Sequence, residues 1–183
     1  MSLDAATRTS LEETADDPSP DGWCCAWSTL LSILFPSEQG YAVCPRQRHG
    51  AEGDLIIEVA KVTHPESPSE RLKFRIILVV EIKDYQHWDR GKEQLMQQLR
   101  HQMDDAFSRT ARGKLFWIAT IGPHWLYGEK KYGQVMKPLI EWHHATFDDS
   151  SIRDLEQLIE LMKVWMSEGE DGDPLNFVLL SCH

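Results

Sequence analysis

Phe74-Arg75-Ile76-Ile77-Leu78-Val79-Val80-Glu81-Ile82-Lys83 is the stretch on which the fold turns. Ile76 to Val80 is apolar without a break and β-branched at every position but Leu78, which predicts a strand buried on both faces rather than one with a wet side. Strands of that kind belong to sheets covered by helices above and below. The run then ends in Glu81 and Lys83, two residues apart, so both project from one face. Ionised groups inside buried strand material cost free energy unless something there uses them.

The neighbouring segments extend the pattern. Upstream, Asp54 to Val62 (DLIIEVAKV) predicts another strand, and Pro65 and Pro68 break the loop between the two. Consecutive strands across a short loop pair as an antiparallel hairpin. If Val62 faces Phe74, Asp54 falls opposite residue 82 and so beside Glu81 and Lys83. A one-residue offset or a β-bulge would be needed to bring Asp54 onto their face. Downstream, Leu95, Leu99, Met103 and Ala106 or Phe107 recur at helical spacing, predicting an amphipathic helix from about Asp89 to Phe107. Lys114 to Ile121 (KLFWIATI) is the next strand, ended by Gly122-Pro123. With the helix as a crossover, it can lie parallel to residues 74–83.

Farther out, Trp23 to Phe35 predicts a helix stopped by Pro36, and Tyr41 to Arg48 a short strand. Short strands are expected near Tyr132 to Met136 and around Ile140, then a helix capped by Ser150 or Ser151 and running to about Met166. Asn176 to Leu180 reads as a last short strand or extended tail. Residues 1–21 read as an acidic disordered tail and residues 22–183 as one domain. The expected class is α/β, in three layers, with a mixed sheet of about four to five strands flanked by helices.

Composition narrows the function classes. Apolar runs such as Ile76 to Val80 are far short of the ~20 residues a membrane span needs. The polar, acidic N-terminus is neither a secretory signal nor a transit peptide, so the expectation is an intracellular protein, cytoplasmic or nuclear. Cys24, Cys25, Cys44 and Cys182 form no CxxC pair, which argues against structural zinc. Cys24 and Cys25 read as reduced core thiols. The net charge is −10, but the acids are concentrated at the two ends. Residues 23–140 hold sixteen Lys or Arg against thirteen acids, a net of +3. A nucleic-acid partner is therefore compatible with the charge pattern, because local potential governs the encounter.

Two carboxylates held close repel, and a divalent cation relieves the repulsion. Mg²⁺ (or Mn²⁺) takes one or two carboxylates together with waters and phosphate oxygens, which suits Asp54 and Glu81. Such a cation lowers the pKa of a bound water and neutralises charge developing on phosphorus. Lys83 would lie beside that water, able to orient it or to stabilise the transition state.

The Gly53-Asp54 step into a strand, Glu81-Ile82-Lys83 ending the next, and the Gln-rich helix behind them (EQLMQQLRHQ, residues 93–102) resemble the PD-(D/E)XK nuclease superfamily. The likeness covers roughly residues 23–121 and is closest to compact fungal-type members with an E-I-K motif followed by a polar helix. It implies a restriction-endonuclease-like fold, metal binding by Asp54 and Glu81, and Lys83 as the nucleophile's assistant. It also implies a polar group from the helix near the site, for which Gln94 and Gln98 are the candidates. Gly53 stands where many members have Pro, and the helix at Trp23–Phe35 has no acid, which argues for one metal rather than two.

Each feature has a plainer reading. Glu81 and Lys83 also read as only a surface pair at a strand end, and Gln94 and Gln98 are as readily the solvated flank of their helix. His143 and His144 are adjacent, cannot share one face, and read as surface or loop residues. Trp125 and Tyr127 could stack bases but are more often core aromatics. Asp104-Asp105 and Asp148-Asp149 are most simply solvated charge and helix N-terminal acids. Two functions follow: a metal-dependent nuclease acting on DNA or RNA, or a nuclease-fold module that binds protein or nucleic acid with little catalysis. A protein partner and a homodimer both stay open.

Overall fold

A computed structural model describes residues 8–9, 12–13, 20–47, 55–63, 73–83, 88–110, 112–146 and 148–167. Helix α1 (Pro20–Leu34) leads through a 3-10 turn, Ser37–Gln39, into strand β1 (Tyr41–Gln47). Strands β2 (Leu55–Thr63) and β3 (Lys73–Lys83) follow, then helix α2 (Trp88–Arg109) and strand β4 (Lys114–Ile121). Strands β5 (His124–Lys131) and β6 (Lys137–Pro138) and helix α3 (Asp149–Ser167) complete the order. Asn176 to Leu180, where a last strand was expected, lies outside the described residues. No helix among the described residues is long and apolar enough to cross a membrane.

The six strands form one mixed sheet in sequence order. Neighbours are antiparallel except β3 and β4, which α2 joins as a crossover and which run parallel. Helices α1 and α3 pack on one face: Trp27, Leu30 and Leu31 of α1 and Leu155, Leu158 and Met162 of α3 share a core with Ile57, Val80, Ile82, Phe116 and Ile118. Helix α2 covers the other face, with Leu95, Leu99, Met103 and Ala106 packed on Val79, Leu115, Trp117 and Ala119. The double covering is what the all-apolar run in β3 required: Ile76 to Val80 are all buried.

The β2–β3 hairpin carries the irregularity that positions the site. Val62 pairs with Phe74 and Ala60 with Ile76, but Val59 pairs with Leu78. Ile77 is the extra residue of a β-bulge, and beyond it every pair is shifted by one. Ile77 and Leu78 both join the α1–α3 core, while Val79 joins the α2 core. Because side chains alternate, Glu81 and Lys83 then share Val79's face, under α2.

Several expectations are corrected. The sheet has six strands rather than four or five, because a strand lies at His124–Lys131. Residues 132–136, expected as a strand, are turn and irregular chain, and Ile140 lies in a bend after the two-residue β6. Gly122, at a φ of 55°, turns the chain in two residues so that Ile121 pairs with His124. Gly128 is required where β5 crosses the ring of Trp117, since a Cβ there would lie 2.3 Å from that ring and 2.2 Å from the Lys137 carbonyl oxygen. Helix α3 is capped by Asp148, whose Oδ1 accepts the Ser151 amide at 2.7 Å, and not by a serine. Cys24 is half-buried and packs against the α1–α3 core as a free thiol, but Cys25 is exposed and is not a core thiol.

Candidate functional site

Strand β3 ends in three buried residues, Glu81, Ile82 and Lys83. Glu81 is 0% exposed and Lys83 4%. Ile82 points into the α1–α3 core, leaving the acid and the lysine to the α2 side. Across the sheet, Glu81 sits between Ile56 on β2 and Ala119 on β4. Lys83 pairs with Ile121, and its carbonyl oxygen accepts the Gly122 amide at 3.2 Å, fastening the end of β3 to the β4–β5 turn. The site therefore lies at the C-terminal end of the parallel pair β3–β4, the end at which open α/β sheets commonly bind ligands. Only four residues separate Lys83 from Trp88, so the first turns of α2 lie at this end as well.

The predicted site residues fare differently. Glu81 and Lys83 are brought together on one buried face. Gln98 is half-buried and its Oε1 is buried, as are both carboxylate oxygens of Glu81. Gln94 is exposed to solvent. Asp54 lies outside the described residues; it is covalently joined to Leu55, whose partner is Ile82. Among the described residues no three His, Cys, Asp or Glu side chains converge as a metal cage would require. A site of one or two carboxylates is a different case, since Mg²⁺ takes that number from a protein and keeps waters for the rest. The buried hard oxygens of Glu81 suit such an ion, and no nitrogen or sulfur ligands are needed.

Two other charged groups lie under α2, nearer its C-terminal end. Glu58 on β2 is 5% exposed and accepts a two-pronged contact from Arg109, with Nη1 to Oε2 at 3.0 Å and Nη2 to Oε1. Arg46 of β1 adds Nη2 to Oε2 at 3.1 Å. The Glu58 carboxylate holds Arg109 above the usual guanidinium range, against a smaller opposing effect of burial. Lys130 on β5, 5% exposed, pairs with Asp104 of α2. Neither group stood out in the sequence.

A further cluster was missed for want of the β5 strand. His124 opens β5 on the α2 side and stacks on Trp88, with ring centroids 3.7 Å apart at 26°. Its Nδ1 lies 3.2 Å from Nδ1 of His144. Lys92 places its ammonium 3.7 Å from the Trp88 ring and 5.8 Å from that of Trp142. Burial first, then the charges of His144 and Lys92, push the His124 imidazole below its ordinary pKa. His143 turns the opposite way: it stacks on Trp125 at 4.8 Å and meets Asp154 of α3 at 2.7 Å. Trp125 and Tyr127 are core aromatics, and Trp125 Nε1 donates to Ser151 Oγ at 3.1 Å. The chain matches no protein-family model, no curated protein and no solved structure with which it was compared.

Proposed function

We propose that this chain is a metal-dependent nuclease of restriction-endonuclease type, hydrolysing phosphodiester bonds of DNA or RNA. The observation that carries the reading is the burial of Glu81 and Lys83 together, on one face, at the C-terminal end of β3. An acid and an ammonium two residues apart in the interior are costly for the fold and contribute little to it. They match what phosphodiester hydrolysis needs: a hard oxygen ligand and a fixed positive charge beside it. The order of helix, three antiparallel strands, helix and parallel strand supports the family resemblance.

In this mechanism Glu81 and Asp54 would hold Mg²⁺ or Mn²⁺, which supplies, when bound, an acidified water and charge neutralisation at phosphorus. Lys83 donates an N–H to the attacking oxygen or to a non-bridging phosphate oxygen and stabilises charge as it develops. Its backbone is pinned by β4 and by Gly122, so the ammonium needs little reorganisation. Gln98, half-buried on α2, would orient a water or phosphate oxygen; Gln94, facing solvent, is the weaker candidate. Helix α2 and the strands keep bulk water from the buried side of the pair. The second reading, a module that binds without cutting, draws support from the net charge of −10.

Incubating wild type and Lys83→Ala with single- and double-stranded DNA and RNA in Mg²⁺ or Mn²⁺ separates the two. We expect cleavage that stops in EDTA and falls at least about 100-fold in Lys83→Ala, with circular dichroism showing both proteins folded. Equal cleavage by both proteins would remove Lys83 from the site. Cleavage by neither would leave the binding module.

A further inference from the structure

The α1–α3 face of the sheet carries its own concentration of charge, at the end away from Glu81 and Lys83. Lys61 on β2 lies directly opposite Arg75 on β3, and Lys114 at the start of β4 lies directly opposite Lys131 at the end of β5. Opposite residues project to one face, and alternation from Val59, Phe116 and Tyr127 puts both pairs on the α1–α3 side. Like charges placed directly opposite destabilise a sheet. Arg112, two residues before β4, joins them: its guanidinium lies 4.9 Å from the centre of the Trp165 ring on α3, and the Lys114 ammonium 5.1 Å from the same ring. Arg112 Nε is buried without an acceptor, and among the described residues no carboxylate pairs with Arg112, Lys61 or Lys131. Lys61 donates to the Gln39 carbonyl oxygen and rests on the Tyr41 ring, while Glu129 answers Lys114 at 3.5 Å. Burial first, then the charge of Arg75, push the Arg112 guanidinium below its ordinary range, yet it stays a cation at neutral pH. Arg109 is the opposite case, held above that range by the acid beside it. Fixed cations that the fold sets against one another are relieved by an anion from outside.

We propose that Arg112, with Lys61, Lys114 and Lys131 on either side of it, forms a phosphate-binding strip that holds the backbone of a nucleic-acid strand, with Trp165 as the support of its central guanidinium. From β2 to β5 the strip covers three strand spacings, about 14 Å, which matches about four phosphates at the ~3.4 Å rise of one strand in a duplex. Arginine at its centre suits phosphate, because the planar guanidinium can present two parallel N–H groups to two oxygens. Arg75 and Lys83 are eight residues apart on β3, about 26 Å, and project to opposite faces. The strip therefore adds affinity away from the buried pair and takes no part in bond breaking. A nucleic acid as the polyanion rests on the proposed function, in its cutting or its binding form.

The test is binding of fluorescent oligonucleotides of two unrelated sequences in EDTA, followed by anisotropy over a range of salt. Wild type is compared with Arg112→Ala, Arg112→Lys and Lys131→Ala, and with Lys163→Ala on α3 as a lysine outside the strip. At about 100 mM salt, Arg112→Ala should weaken binding roughly three- to tenfold for both sequences and lower the slope of log K against log salt by about 1. Arg112→Lys should restore the slope, since it keeps the charge. Lys131→Ala, at an exposed position where the fold is safe, should weaken binding about two- to fourfold, and Lys163→Ala should leave it unchanged. Wild-type affinity and slope in both Arg112→Ala and Lys131→Ala would overturn the strip, as would an equal loss in Lys163→Ala. Binding of inorganic phosphate that depends on Arg112, with no binding of either oligonucleotide, would overturn the strand as its ligand. Cleavage in Mg²⁺ by a protein whose binding ignores Arg112 and Lys131 overturns the strip and leaves the nuclease reading. Arg112-dependent binding without any cleavage supports the strip and removes that reading.

Discussion

The two ends of the surface beneath α2 bury the same kinds of residue in opposite ways. Toward the C-terminal end of the helix, Glu58 meets Arg109 and Arg46, and Lys130 meets Asp104. In each pair the partners come from different elements, and the outer partner reaches in from the rim. Those contacts tie helix to sheet, and the buried charge is answered in place. Toward its N-terminal end, Glu81 and Lys83 come from a single strand, two residues apart, at the end of a parallel pair. Side chains two apart on one strand present an acid and a lysine to the same space. Burial of charge therefore does not by itself mark a site. What distinguishes the two ends is whether the charges join elements or are displayed side by side by one of them.

The sharpest way to break this comparison is to neutralise one acid at each end. Glu81→Gln should lower cleavage by at least about 100-fold while the protein stays folded. Glu58→Gln should instead cost about 1–3 kcal/mol in chemical denaturation, a range kept low because the Arg109 side chain is 32% exposed, with cleavage per folded molecule within about twofold. If the two substitutions gave matching profiles, the distinction between the ends would be lost.

Lysine offers a milder version. Lys130→Met leaves Asp104, whose side chain is 63% exposed, free to hydrate, so stability should change by less than about 1 kcal/mol and cleavage not at all. A loss of activity there would mean that the α2 C-terminal end belongs to the chemistry.

The smallest effect concerns protons. Burial, His144 and Lys92 lower the His124 pKa below its ordinary 6.5. The unfolded chain therefore takes up this proton first as pH falls. The folded state loses stability from about pH 6.5 downward until its own imidazole is also protonated, and gains nothing further from this group at higher pH. An NMR titration of the imidazole Cε1–H signals should show His124 titrating below 6.5, and a midpoint at or above that value would contradict the geometry of the cluster.

Much of the site was legible from order along the chain. The apolar run Ile76–Val80 implied a sheet covered on both faces, and the two-residue spacing of Glu81 and Lys83 implied a common face. The need for a bulge was also visible, since straight pairing of Val62 with Phe74 set the far end of the hairpin out of phase. Where the bulge falls, at Ile77, was not visible, because any residue in so uniform a run can be the extra one. Strand β5 was missed because polar Glu129, Lys130 and Lys131 and the small Gly128 obscure its alternation. With it went His124 and the whole cluster around Trp88.

Sequence alone determined strands β2, β3 and β4, the helix that crosses over between the last two, and that Glu81 and Lys83 project together, because these depend on local periodicity of two or 3.6 residues. Only the tertiary structure decided that the pair faces α2, that Glu58 is answered by Arg109 and Lys130 by Asp104, fifty-one and twenty-six residues away, and that His124 stands in the row of Lys83. Those outcomes depend on a one-residue bulge and a two-residue turn, and shifting either by one residue sends every following side chain to the opposite face.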